Sequence, residues 1–269
     1  MPLIGEIQSL QNPHIKLLRR LREKKRDRYR EGQYLAEGLR LVQHALSRGY
    51  RPASAFYTPT FAAHTEHDAL LQALDAQECR LWQVSDEVMA AISDTVTPQG
   101  LLAVLPMPRP DPAAVRSAHL ALIVDGWRNP GNLGTLLRTA LATGVGAVVC
   151  APGTVDPYAP KVVRGGMGAH LDLPIVVDLA WGEIGELLAD RQRILAEAGA
   201  PLSLWEIDWT LPSALIIGSE AHGPGREARA LATGAARIPM SEGAESLNAA
   251  IAAAGFLFEA QRQRALAPR

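Results

Sequence analysis

Two short apolar runs in the second half of the chain limit its fold more than any other feature. Residues 121–125 read Ala-Leu-Ile-Val-Asp, and residues 215–218 read Leu-Ile-Ile-Gly. Uninterrupted runs of this kind are typical of strands covered on both faces, as in a parallel sheet between layers of helices. The second half is therefore predicted to fold as an α/β domain around a parallel sheet.

Helix and strand patterns alternate along the rest of the chain. In the second half, further strands are predicted at 147–150, 174–177 and 193–197, and helices at 133–143, 160–164 and 183–190. In the first half, strands are predicted at 34–36, 53–57, 80–84 and 101–105, and helices at 38–47, 66–77 and 86–93. Because this alternation is typical of α/β domains, the first half is predicted to form a small α/β domain of its own.

A proline-rich stretch separates the two halves. Four of the seven residues at 106–112 are prolines, which can continue neither a helix nor a central strand and behave as a stiff spacer. The predicted organisation is a first domain at 1–105, a linker at 106–118 and a second domain at 119–269. A length of 269 residues suits two domains.

Positive charge is concentrated near the N-terminus, although the whole chain has a formal net charge of only −1. A helix is predicted at 14–29, with Ile15, Leu18 and Leu21 on one side. Between Lys16 and Arg30 there are nine Lys or Arg residues against two acidic ones. So many like charges repel one another unless an anion lies against them, which favours a phosphate-binding surface over a merely solvated helix face.

Several classes of protein are disfavoured by the composition. No apolar run approaches the roughly 18 residues needed to span a bilayer, and the N-terminus lacks a signal-peptide pattern. We therefore expect a cytoplasmic protein. Cys79 and Cys150 have no metal-ligand spacing, so we expect ordinary buried thiols and no metal site.

The first polar loop that could take part in binding or catalysis follows the strand at 121–125. Residues 129–138 read Asn-Pro-Gly-Asn-Leu-Gly-Thr-Leu-Leu-Arg. Asn132 stands where a helix N-cap belongs, and capping alone would explain it. Arg138 could be an ordinary exposed arginine, but its fixed fork of donors also suits a phosphate if it points toward the loop.

The second polar loop follows the strand at 215–218. Gly218 would let a ligand approach backbone donors, and Glu220 places a carboxylate at the strand end. Residues 223–228 also match a loose dinucleotide-binding pattern, which leaves a nicotinamide-dependent oxidoreductase as an alternative. The match is weak because four residues separate it from the strand and Pro224 lacks a backbone donor. His222 is expected to be a loop histidine.

The third stretch, residues 237–258, is predicted to be a short strand, a polar loop and an alanine-rich helix. Ser246 and Asn248 are expected in the first turn of this helix, and Ser246 could be no more than its cap. Leu247, Ile251 and Phe258 form an apolar stripe at roughly helical spacing. The small residues between them would allow close packing, so this stretch is predicted to form a pocket wall.

Taken together and in this order, the three loops resemble the signature motifs of the SpoU/TrmH family of RNA 2′-O-ribose methyltransferases, within the SPOUT superfamily. The matching segments are 129–134 with Arg138, 216–223, and 238–240 with 246–248. The first half is similar, less specifically, to the family's ribosomal-protein-like RNA-binding domain. The resemblance implies an α/β fold with a C-terminal SPOUT domain, whose parallel sheet carries a deep trefoil knot. It also implies S-adenosylmethionine as cofactor and a homodimer whose subunits both contribute to each site.

The resemblance also implies roles for individual residues. Backbone at Gly218, Ile238 and Leu247 would hold the adenosyl group, with Met240 nearby. The catalytic residues would be Asn132, Arg138, Glu220, Ser246 and Asn248. From the concentration of positive charge, the basic residues Lys16, Arg19, Arg20, Lys24, Lys25 and Arg26 are expected to bind the RNA.

The implied reaction is methyl transfer to a ribose 2′-hydroxyl, which requires alignment of the hydroxyl and removal of its proton. A guanidinium is effectively always protonated, so Arg138 is expected to bind the phosphate beside the target ribose rather than to act alone as the base. The two-domain layout favours ribosomal RNA, most of all 23S rRNA, as substrate. A tRNA 2′-O-methyltransferase and a non-catalytic RNA-binding protein are the alternatives.

Overall fold

The computed structural model describes residues 5–219, 222–241, 243 and 246–267, and the chain forms two compact units. The first unit extends to Pro108 and also includes Tyr158–Leu171. The second unit consists of Arg109–Pro157 and the residues from Asp172 onward.

The secondary structure alternates as predicted. The strands are β1 (Gly5–Ile7), β2 (Gln33–Glu37), β3 (Ser54–Tyr57), β4 (Arg80–Val84), β5 (Leu101–Pro106), β6 (Leu120–Val124), β7 (Ala147–Cys150), β8 (Ile175–Val177), β9 (Gln192–Ala196), β10 (Leu202–Ser203), β11 (Ser213–Ile217) and β12 (Gly234–Arg237). The helices are α1 (Pro13–Glu23), α2 (Lys25–Glu31), α3 (Leu39–Ser47), α4 (Pro59–Ala62), α5 (Thr65–Ala76), α6 (Asp86–Ile92), α7 (Ala113–Ser117), α8 (Pro130–Ala142), α9 (Pro160–Gly166), α10 (Trp181–Leu187), α11 (Arg226–Leu231) and α12 (Ala249–Leu266). The elements that the sequence did not predict, such as β1, α4 and β10, are too short to show a periodic pattern.

The first unit is built on a five-stranded sheet in the order β1-β4-β3-β5-β2. Strand β5 is antiparallel to β2 and β3, and the other pairs are parallel. Alternate residues face opposite sides: Phe56 packs with the buried residues of α1 and α6, whereas Ala55 and Tyr57 pack with those of α3 and α5. Helices therefore cover both faces of this sheet.

The predicted helix at 14–29 is two helices, so that prediction is wrong in its continuity. The backbone at Lys24 is extended, with φ −119° and ψ 116°, and it separates α1 from α2. Asn12 caps α1 by accepting a hydrogen bond from the His14 N–H at 2.9 Å. Ile15, Leu18 and Leu21 are buried, as the spacing predicted.

The second unit is built on a seven-stranded sheet in which every pair is parallel, in the order β10-β12-β9-β11-β6-β7-β8. Every residue of β6 and of β11 is buried, which confirms the two strands predicted from apolar runs. Ile216 of β11 lies between Ile123 of β6 and Leu195 of β9. The carboxyl ends of β12, β9 and β11 are thus neighbours at one edge of the sheet.

The cysteines behave as predicted. Cys79 and Cys150 are buried thiols, and burial raises the pKa of Cys79 to about 12. No helix in the described part of the chain is long and apolar enough to cross a membrane. Within those same residues, no cluster of His, Cys, Asp and Glu could hold a metal ion.

Candidate active site

A cavity of about 370 Å³ opens at the carboxyl ends of β9, β11 and β12. Ala196 ends β9 and lines the cavity, as do Ile217 at the end of β11 and Arg237 at the end of β12. Ligands of open parallel sheets bind at this edge, outside the carboxyl ends of the strands. The sheet order therefore places a binding site where the second and third polar loops meet.

The wall of the cavity is mainly apolar. Ile238, Met240, Leu247 and Phe256 contribute side chains, and Gly218 exposes backbone. An apolar wall with a few polar groups is typical of a site for a small organic molecule.

The charged groups of the wall are already partnered. Arg229 pairs with Glu197, and the Arg237 guanidinium donates to the carbonyl oxygens of Ala200 and Pro201. These arginines therefore shape the loop after β9 and are not open anion sites.

Gly218 is held tightly on two sides. The indole N–H of buried Trp127 donates to the Gly218 carbonyl oxygen at 2.8 Å. A Cβ atom at position 218 would lie 2.1 Å from the Pro224 nitrogen, far inside any real contact distance. Only glycine fits here, and the orientation of its peptide is determined by Trp127.

The loop after β11 is also anchored to the end of β6. The Gly225 N–H donates to Oδ2 of Asp125 at 2.6 Å, and backbone bonds of 3.1 and 2.8 Å join Ser219 to Gly223. The sequence did not identify Asp125 and Trp127 as site residues. Their position after β6, a buried strand that pairs with β11, was the signal from which they could have been identified.

The start of α12 differs from the prediction. Asn248 is the N-cap, since its side chain accepts from the N–H groups of Ala250 at 2.9 Å and Ile251 at 3.3 Å. The predicted placement of Ser246 in the first turn, or as the cap, is wrong. Ser246 precedes the helix and lines the cavity. An asparagine caps at least as well as a serine, and the helix begins after the later of the two residues.

The start of α8 differs in the same way. Asn129 is the cap, with its side chain accepting from Gly131 and Asn132, and Pro130 occupies the first helical position. The prediction of Asn132 as the cap is therefore wrong, because proline fits a first helical position and fixes the boundary before itself. Arg138 is exposed on α8, and its guanidinium group forms no hydrogen bond or ion pair with any other described residue.

The structure brings together some of the predicted site residues and not others. The cavity is lined by Gly218, Ile238, Met240, Ser246 and Leu247. Asn132, Arg138 and Asn248 are absent from its described lining, on or beside α8 and α12, two helices that pack against each other. Glu220 lies outside the described residues.

The stripe on α12 also has a different orientation from the one expected. Ile251 and Phe258 are 57% and 54% exposed, whereas Ala253, Phe256 and Leu257 are buried. The side of the helix with Ala253, Phe256 and Leu257 therefore packs on the unit, and the side with Ile251 and Phe258 is exposed.

The basic residues of α1 and α2 divide into two groups. Lys16, Arg19, Arg20, Lys24, Lys25 and Arg26 are all exposed, as a phosphate-binding surface requires. Arg22 instead donates to the carbonyl oxygens of Ala91 and Ser93, and buried Arg28 donates to that of Leu21 at 2.6 Å. The second group holds the fold together.

The dinucleotide-binding pattern lacks its required setting. Residues 223–228 run from a loop into the six-residue α11, not from a strand directly into a helix, and the Gly225 N–H is already bonded to Asp125. The oxidoreductase alternative therefore has no support in the structure.

Comparisons with known proteins agree with the three motifs. The SpoU rRNA Methylase family matches residues 119–258, and an MRM3-like substrate binding domain matches residues 12–103. An uncharacterized tRNA/rRNA methyltransferase of Synechocystis is 37% identical, over 97% of this chain and 95% of its own length. A 23S rRNA (guanosine(2553)-2′-O)-methyltransferase of Bacillus subtilis is 32% identical, over 93% of this chain and 96% of its own length. The crystal structure of an AdoMet-bound rRNA methyltransferase from Sinorhizobium meliloti superposes with a TM-score of 0.83 at 30% identity and covers 98% of both chains.

Proposed function

The chain belongs to the SpoU rRNA methylase family, and from this we propose that it transfers a methyl group from S-adenosylmethionine to a ribose 2′-hydroxyl of ribosomal RNA, with 23S rRNA as the favoured substrate. The observation that carries the proposal is the cavity at the ends of β9, β11 and β12, which lies inside the matched domain. The Bacillus subtilis relative is named for 2′-O-methylation of 23S rRNA, and the Sinorhizobium meliloti structure contains AdoMet.

The residues present fit the cofactor. A cavity of about 370 Å³ with the apolar side chains of Ile238, Leu247 and Phe256 suits an adenine ring, and a Cβ at Gly218 could not be accommodated beside it. Backbone at Gly218, Ile238 and Leu247 would hold the adenosyl group, with Met240 beside it. When bound, S-adenosylmethionine supplies an activated methyl group on a cationic sulfur.

Arg138 is proposed to bind the RNA phosphate beside the target ribose. Its guanidinium is exposed on α8 and makes no hydrogen bond or ion pair within the described part of the chain, so it can present its full fork of donors. A permanently charged group there would stabilise negative charge that develops on the 2′-oxygen. Asn132, Ser246 and Asn248 are proposed to surround the ribose, together with Glu220.

A homodimer is proposed from the exposed face of α12. Ile251 and Phe258 are more than half exposed, with Gly255 on the same side of the helix. Large apolar side chains grouped on one helix face are typical of an interface, and a second copy of the same chain is the occupant that closed symmetry favours.

The first domain, 1–105, is proposed to bind the RNA and to be joined through the linker at 106–118 to the methyltransferase domain at 119–269. The match of residues 12–103 to a substrate-binding domain supports this, and relatives named as rRNA methyltransferases favour rRNA over tRNA. The trefoil knot stays a prediction. The cytoplasm stays the proposed location.

Methylation of rRNA from cells that lack this chain tests the proposal. The purified protein with radiolabelled S-adenosylmethionine should label 23S rRNA at one ribose, mapped as an alkali-resistant 2′-O-methyl position. No labelling of any rRNA would refute the proposed function.

In the same assay, Arg138→Lys should lower kcat on the order of a hundredfold, because an ammonium cannot replace the bidentate fork. Affinity for S-adenosylmethionine should be unchanged. Arg116→Lys, at an exposed position on α7, is the matched control and should retain full activity. Near-normal turnover of Arg138→Lys would contradict the bidentate role.

A further inference from the structure

A second cavity, of about 550 Å³, lies within the first unit. It is formed where Gln33, Ser54 and Arg80 begin β2, β3 and β4, three strands that run in the same direction. His14 and Leu17 of α1 form the opposite wall. The site is thus on the sheet face that α1 covers, beside the start of the basic helix.

One side of this cavity is aromatic. The His14 and Trp82 rings are 4.8 Å apart between centroids and tilted by 37°, and both residues are only partly buried. Buried Phe56 and Val104 also contribute to the lining. A surface of this kind is suited to stacking by a flat ring, which is how proteins bind unpaired RNA bases.

The rim of the cavity carries two exposed arginines. The guanidinium groups of Arg51 and Arg80 form no hydrogen bond or ion pair with any described residue. Exposed guanidinium groups without an intramolecular partner are suited to binding phosphate. The Gln33 amide and the Ser54 hydroxyl add neutral hydrogen-bonding groups.

Glu78 adds one carboxylate to the same rim. A carboxylate repels phosphate, but it accepts hydrogen bonds from the exocyclic amino groups of cytosine, adenine and guanine. Uracil has no such group. With two arginines against one glutamate, the rim keeps a net positive charge and has a means of distinguishing between bases.

We propose that this cavity binds one nucleotide of a single-stranded segment of the RNA substrate. The base stacks against His14 and Trp82, the phosphate is held by Arg51 and Arg80, and Glu78 favours a base with an amino group. The inference rests on the proposed function for the identity of the ligand as RNA. It goes further by assigning a base-binding site to the first unit, in addition to the exposed basic residues of α1 and α2.

Binding of 12-nucleotide oligocytidylate and oligouridylate to the full chain tests this site by fluorescence anisotropy. The wild-type protein should bind oligocytidylate about tenfold more tightly, because one charge-assisted hydrogen bond is at stake. Glu78→Gly should remove this preference. Glycine is the appropriate replacement because the backbone at Glu78 has φ 60°, which glycine accepts without strain.

Stacking and phosphate binding are tested separately. His14→Ala should weaken oligocytidylate binding about tenfold, and His14→Phe, which keeps a ring, should restore most of it. Arg80→Gln should lower the log-log salt slope by about 0.7, the value for one phosphate contact on a single strand. Arg40→Gln, at an exposed position on α3 behind the other sheet face, is the matched control and should leave the slope unchanged.

Titration of every variant with S-adenosylmethionine separates this inference from the proposed function. Unchanged cofactor affinity shows that the methyltransferase site is intact, and restored binding in His14→Phe shows that the first unit is folded. If the His14 and Arg80 variants bind oligocytidylate like wild type, the base-binding site is refuted. That result would leave the proposed methylation of rRNA standing. If instead the wild-type protein does not bind S-adenosylmethionine, the proposed function is refuted and the oligonucleotide results remain valid.

Discussion

At Gly218, two neighbouring residues determine what the backbone can offer to a ligand. The Trp127 indole binds the carbonyl oxygen, and Pro224 occupies the space that a side chain would need. The glycine was identifiable from the sequence because it directly follows a buried strand. The tryptophan was not, because its contact spans 91 residues and no local pattern reports it.

Trp127→Phe tests the orientation of this peptide. Phenylalanine keeps most of the buried ring but leaves the Gly218 carbonyl without its donor, so the affinity for S-adenosylmethionine should fall about tenfold. Isothermal titration calorimetry measures this change. Trp205→Phe, at a position 61% exposed in the same unit, should bind like wild type. Equal affinities for both variants would show that the indole bond does not hold the site.

Gly218→Ala tests the contact with Pro224. The added Cβ would lie 2.1 Å from a backbone nitrogen, so the loop must move and cofactor affinity should fall on the order of a hundredfold. Gly182→Ala is the matched control, because a Cβ there meets no heavy atom within 4 Å. A Gly218→Ala protein that binds as tightly as wild type would show that the cofactor does not use this loop.

At the scale of elements, similar residues compete for one structural role, and neighbours decide between them. Asn129 and Asn132 could each cap α8, but Pro130 favours the boundary directly after Asn129. The basic residues of α1 and α2 likewise cannot be told apart from the sequence alone. These cations are equivalent in the sequence, yet α1 and α2 expose some and bury Arg28 against backbone carbonyl oxygens.

Neutralising exposed cations of this element should weaken RNA binding through its salt dependence. We expect Lys24→Gln with Lys25→Gln and Arg26→Gln to reduce the log-log salt slope by roughly two, at about 0.7 per phosphate contact. Anisotropy with structured 23S rRNA fragments at several salt concentrations gives the slope. An unchanged slope would rule out the assignment of these residues to phosphate.

Arg28→Gln is the contrasting variant on the same element. Its loss leaves the carbonyl oxygens of Leu21 and Arg22 without their donor, which should cost about 1–3 kcal/mol of unfolding free energy in urea. The salt slope of the folded variant should match wild type, because Arg28 is buried and does not face the RNA.

At the scale of the whole molecule, the exposed stripe on α12 has consequences for assembly. The spacing of Ile251 and Phe258 indicated a common helix face, but spacing alone does not say whether that face is covered by the same chain. In the structure the alanine-rich face packs inward, where small side chains let α8 approach closely, and Ile251 and Phe258 remain outside.

Ile251→Arg with Phe258→Arg should convert the proposed dimer to a monomer, because charges cannot be buried unpaired in an apolar interface. Light scattering should show the mass falling from twice 28.9 kDa to 28.9 kDa. Leu211→Arg, which changes another half-exposed apolar residue, should leave the mass unchanged. A wild-type protein of 28.9 kDa would contradict the dimer itself.

The sequence by itself determined most of the longer elements, although not the caps of α8 and α12. Apolar runs locate β6 and β11, and the resemblance of the polar loops to a known family directed attention to Gly218, Ile238, Met240 and Leu247. These signals are local, because a strand pattern or a turn depends on residues near one another in the chain.

Only the tertiary structure decided what comes together. The sheet order brings the ends of β9, β11 and β12 to one cavity, although Ala196 and Arg237 are distant in sequence. The tertiary structure also groups Tyr158–Leu171 with the first unit, where Tyr158 packs against Tyr34. Such contacts follow from strand pairing and shape complementarity over long separations, and no periodic pattern along the chain encodes them.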